Sequence, residues 1–116
     1  MTAPIPAPEG FEHARADLDG IRVHYVAGGT GPAVVLVHGW PFSWVEWRAV
    51  MPLLAERGFT VIAPDLRGSG DSQIPAGHWT KHEEAEDLHR LLHHLGHDRA
   101  PRVRRTRALP ALRHGP

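Results

Sequence analysis

The chain has 116 residues, with 13 Lys and Arg against 13 Asp and Glu, 41% hydrophobic residues and no Cys. This length supports one modest core, with about two-thirds of the extended chain's surface buried on folding, and it excludes a multidomain enzyme. The missing thiols exclude a disulfide framework, a thiolate zinc site and a cysteine nucleophile.

The zero net charge conceals a division. Residues 1–99 hold eight basic side chains and all 13 acids, whereas residues 100–116 hold five Arg and no acid. The sequence therefore divides into a lead-in (1–10), a body (11–99) and a basic tail (100–116) that is expected to be disordered.

The lead-in carries three Pro and neither a basic nor an apolar block, so it does not read as a signal peptide. Alternating segments Phe11–Leu18 and Ile21–Ala27, joined by Asp19-Gly20, predict an antiparallel hairpin. Ala33–Val37 is a short unbroken apolar run, the pattern of a strand covered on both faces. It is also the longest such run and far too short to span a membrane, so the protein is expected to be soluble and cytoplasmic, without membrane partners.

Helical spacing of Trp47, Val50, Met51, Leu54 and Ala55 predicts a helix over Trp44–Arg57, closed by Gly58. Pro52 should kink or divide it, because proline removes a ladder bond and crowds the preceding turn. Phe59–Ala63 reads as a second buried strand. From Lys81 to Leu95 the positions Ala85, Leu88, Leu91, Leu92 and Leu95 keep helical spacing, acids crowd the N-terminal end, and Gly96 ends the helix. Two covered strands separated by a helix make a parallel, right-handed βαβ unit, so the fold class is α/β.

Two segments stand out for chemistry. His38-Gly39-Trp40-Pro41 follows the first buried strand directly, and Asp65-Leu66-Arg67-Gly68-Ser69-Gly70-Asp71-Ser72 follows the second. Together with the preceding hairpin, these motifs make residues 11–99 resemble the N-terminal third of an α/β-hydrolase of the epoxide hydrolase and haloalkane dehalogenase group. The fold the resemblance implies is a partial one, an N-terminal β-hairpin followed by β-α-β-α, with an incomplete sheet.

Gly39 at a strand end lets the backbone turn so that the next N–H points above the carboxyl ends of the strands, where open α/β folds bind ligands. Trp40 N–H is accordingly the expected oxyanion-hole donor, and the resemblance implies an apolar pocket lined by Trp40 and Phe42. His38 and Pro41 are expected to shape that turn. Asp65, Arg67, Gly68, Gly70 and Ser72 are expected to fix the second loop through charge-assisted hydrogen bonds and glycine conformations. The activity implied by the resemblance is hydrolysis of a small apolar epoxide, with halide or ester substrates as neighbours, through a covalent ester to a carboxylate and without organic cofactor or metal.

The nucleophile motif G-x-D-x-G or G-x-S-x-G is absent from the sequence. With the charge reversal after Arg99, this leads to the expectation of a truncated or frame-shifted product with little turnover. Its Ala33–Val37 strand would have an open edge, with self-association through it. Two rival readings use other residues. His89, His93 and His97 are spaced by four with His78, His82 and His94 nearby, which would suit a His-rich metal-binding domain, while a non-catalytic partner-binding module needs no site at all. The tail's Arg cluster lacks interleaved aromatics, and no nucleic-acid partner is expected.

Overall fold

The computed structural model describes residues 5–39, 42–97 and 102–104. Asp19 and Gly20 adopt φ of 52° and 97°, the left-handed pair that matches the twist of a two-residue hairpin. They join β1 (Phe11–Asp17) to β2 (Arg22–Gly29), in antiparallel register from Phe11 opposite Gly28 to Asp17 opposite Arg22. β3 (Ala33–Val37) is buried along its whole length and pairs in parallel with β4 (Thr60–Pro64), whose other edge takes β2 antiparallel.

The basic tail supplies β5 (Arg102–Arg104), parallel to β3 with Val35 opposite Arg102 and Val37 opposite Arg104, and the sheet order is β1-β2-β4-β3-β5. This corrects the expectation that the tail leaves the β3 edge open and carries no regular structure. Ladder bonds use peptide groups that arginine has as fully as valine, and buried β3 has no water for its own. The rest of the tail lies outside the described residues, as do residues 1–4.

The expected helix over Trp44–Arg57 is divided, as Pro52 requires. A 3-10 helix spans Trp44–Trp47, its Val45 N–H donating to Ser43 Oγ at 3.3 Å, and α1 spans Met51–Glu56 with Pro52 in its first turn, where a missing N–H loses no bond. This segment covers one face of the sheet, packing Trp44, Trp47 and Met51 on Phe11, Val26, Val34, Leu36 and Val61. On the other face α2 (Lys81–His94) packs Leu88, Leu91 and Leu92 on Val23, Val35, Val37 and Ile62. Alternation along β3 feeds both cores, which is why its apolar run is unbroken. Among the described residues no helix is long and apolar enough to cross a membrane.

α2 begins at a capping box. His82 N–H donates to Thr80 Oγ1 at 3.1 Å and Thr80 N–H to Glu83 Oε1 at 2.8 Å, with the Thr80 hydroxyl also on Glu83. Those bonds to Thr80, the hydroxyl's foremost, lower the Glu83 carboxyl from 4.5 to about 2. The depressed value means that the Glu83 contribution is present above its ordinary value and lost as the pH falls through about 2. In Thr80→Ala the Glu83 carboxyl should return toward the ordinary carboxylate range, read by carbon NMR of its side chain during acid titration.

Candidate active site

The parallel strands β3 and β4 end side by side, and their following loops form one rim. His38, buried just past β3, accepts Leu66 N–H on Nε2 at 2.9 Å, which leaves Nδ1 to donate to the Gly39 carbonyl at 3.0 Å. The ring thus clips the loop after β3 to the loop after β4. Gly39 N–H donates to Glu46 Oε1 at 3.0 Å, and the Gly39 carbonyl accepts Phe42 N–H at 2.8 Å. Trp40 and Pro41 themselves, with the expected oxyanion donor, lie outside the described residues.

A cavity of about 230 Å³ opens at this rim. Val37, His38 and Gly39 line it from β3, Leu66, Arg67, Gly68 and Ser69 from the loop after β4, and Trp79, Lys81 and Glu84 from the start of α2. Phe42 is 57% exposed and does not line this cavity. Gly68 has φ of 79°, and a Cβ there would lie 2.7 Å from the Trp79 ring, so only glycine lets the loop pass beneath that indole.

Asp65 and Arg67 do not pair with each other but each takes other partners. The fully buried Asp65 carboxylate accepts Trp44 N–H at 2.7 Å, Asp71 N–H at 2.9 Å and His24 Nδ1 at 2.8 Å. Ser72 adds to the hub, its Oγ donating to the Asp65 carbonyl at 2.6 Å and accepting His24 N–H at 2.8 Å. A Cβ on Gly70 would stand against both Asp65 carboxylate oxygens. Arg67 instead reaches across to α2 and grips Asp87 with two bonds, Nε at 2.7 Å and Nη2 at 2.9 Å, and this raises the arginine above its ordinary value despite partial burial.

The histidine stripe of α2 does not assemble. Among the described residues, the metal-ligand types that converge are His24, Asp65 and Asp71, and there the His24 and Asp65 atoms are bonded to each other. α2 ends at His94, so His97 falls off the four-residue spacing that the stripe needs. This corrects the His-rich metal-binding alternative.

The same architecture recurs in known proteins. Residues 32–100 match the family described as alpha/beta hydrolase fold. The soluble epoxide hydrolase of Corynebacterium sp. (strain C12) is 54% identical over 87 residues, 75% of this chain and 30% of that protein. A fluoroacetate dehalogenase of Burkholderia sp. is 37% identical over 114 residues, 87% of this chain and 37% of that one. A solved structure of a Vigna radiata epoxide hydrolase mutant superposes with a TM-score of 0.80 at 36% identity, covering 84% of this chain and 31% of that chain. The chain thus spans about a third of the length of the relatives it matches.

Proposed function

This chain belongs to the alpha/beta hydrolase fold family, in its epoxide hydrolase group, and on that premise we propose that it carries the oxyanion-loop portion of an enzyme that opens small apolar epoxides. The observation that carries the reading is the cavity at the carboxyl ends of β3 and β4, with His38 clipping its two loops together. In the proposed reaction a carboxylate attacks an epoxide carbon, the C–O bond breaks, and the ring oxygen takes a proton. Water then hydrolyses the resulting ester, with Trp40 N–H aimed at the oxyanion that forms on the ester carbonyl. One such donor lowers a barrier by about 3–4 kcal/mol. The sequence holds no G-x-D-x-G or G-x-S-x-G motif to supply the carboxylate. This chain alone is therefore expected to turn over styrene oxide no faster than buffer. A halide substrate is the neighbouring option, in line with the fluoroacetate dehalogenase relative.

The test is a chimera in which residues 11–97 replace the matching region of the Corynebacterium enzyme. Retained styrene oxide hydrolysis, with kcat falling at least tenfold on His38→Ala, is expected. A folded chimera that hydrolyses p-nitrophenyl esters but no epoxide would refute the assignment. We also propose self-association at the β5 edge, where, among the described residues, a strand of three residues ends the sheet. A single monomer peak by size-exclusion chromatography with light scattering would contradict it. A cytoplasmic location belongs to the same proposal and is checked by cell fractionation.

A further inference from the structure

Two histidines away from the cavity meet on the hairpin. His13 of β1 and His24 of β2 stack with ring centroids 5.0 Å apart, and His13 Nδ1 lies 2.8 Å from His24 Nε2. At one end His24 Nδ1 is 2.8 Å from Asp65 Oδ2, and at the other His13 Nε2 is 2.8 Å from the Ile5 carbonyl oxygen. The three contacts form one line, and both of its ends are acceptors. A neutral imidazole has one N–H and one bare nitrogen. Two neutral rings therefore bring two protons to three contacts. However the tautomers are set, one contact is left with two lone pairs facing each other at hydrogen-bond distance. Three protons satisfy all three contacts.

We propose that His13 and His24 share one extra proton, as a paired imidazole cation held against Asp65, and that this pair is a proton-operated latch for the N-terminal segment. Charged, it ties Ile5 to the hairpin and, through Asp65, to the loop after β4 and the start of the 3-10 helix. Once the proton is lost, the line keeps its buried bonds, and the half-exposed end at Ile5 opens. His24 is 1% exposed and Asp65 fully buried, so those groups cannot turn to water instead.

Among the described residues few charged groups face the pair. Arg15 stands across from His24 in the β1–β2 register, and beyond it Asp17 and Arg22 bind each other at 3.2 Å. The Asp71 carboxylate lies within 4.8 Å of the His24 and Asp65 ligand atoms, and the Trp44 indole meets the His13 ring edge-on at 5.6 Å. Arg15 opposes the cation while Asp65 and Asp71 favour it. Asp65 prevails because it is in direct contact and removed from solvent, whereas Arg15 is exposed.

Ring-nitrogen NMR of the ¹⁵N,¹³C-labelled full chain, from pH 5.5 to 8.5, tests this, with His13→Phe identifying the signals by their loss. Three protonated nitrogens across the two rings at pH 7 are expected, with the Ile5 carbonyl ¹³C shift moving as the third proton leaves. Above about pH 6.5, where two unfolded imidazoles together hold less than the one extra proton the folded pair keeps, folding takes up a proton, so the urea-derived folding constant should fall with rising pH, by up to tenfold per pH unit. His13→Phe keeps a ring beside Trp44 and should lose this fall above about pH 6.5, because His24 then folds without the shared proton. Two protonated nitrogens at pH 7, an Ile5 shift indifferent to pH, or a His13→Phe chain with the wild-type pH response would each overturn the latch.

Discussion

Asp65→Ala is expected to abolish cooperative folding, read as the loss of a urea unfolding transition by circular dichroism. The substitution leaves Trp44 N–H, Asp71 N–H and the buried His24 ring without their acceptor at once. Removing one partner from a buried, hydrogen-bonded charge costs about 3–5 kcal/mol, against roughly 5–15 kcal/mol for a whole domain. Asp65→Asn keeps one carbonyl oxygen and should retain a transition at lower urea. A transition for Asp65→Ala within about 1 kcal/mol of the unaltered chain would show that the hub is not what holds these loops.

Gly31→Ala should destabilise the chain by about 3 kcal/mol, whereas Gly58→Ala should cost about 1 kcal/mol. Both glycines have positive φ, 105° and 92°, so conformational strain alone does not separate them. Their surroundings do. A Cβ on Gly31 would press into the Gly58 carbonyl oxygen, while a Cβ on Gly58 meets nothing within 4 Å. The crowded carbonyl has little room to retreat, because Thr60 N–H donates to the Pro32 carbonyl at 2.9 Å and Thr60 Oγ1 to that of Gly31 at 2.8 Å. Paired thermal or urea denaturation of the two variants decides it, and equal losses would mean that this contact yields.

Much of the fold is legible in the sequence because its signals are local. Asp19-Gly20 specifies a two-residue hairpin by backbone preference, and Pro52 divides a helix wherever the helix sits. The Leu88, Leu91 and Leu92 stripe fixes the inward face of α2 before any partner is known. The candidate site is legible only in outline. His38-Gly39 could be placed at a strand end, and the cavity does open there, but the ring's bond to Leu66 N–H joins residues 28 apart. Asp65 and Arg67, adjacent enough to pair on paper, turn to His24 and Asp87, 41 and 20 residues away. His13 and His24 show in sequence only as polar residues inside strand patterns. Nothing in their spacing reveals that register and the buried Asp65 will line them up.

By itself, then, the sequence determined the elements that short-range sterics and periodicity control: the hairpin, the doubly covered strand, the divided helix and the order β-α-β-α. Only the tertiary structure decided which polar groups meet, that β2 lies against β4, and that an arginine-rich triplet pairs with Val35, Leu36 and Val37 of β3. The reason is the same in each case. Backbone preferences act over a few residues, whereas a buried donor or acceptor must find a partner wherever the packed chain brings one within about 3 Å.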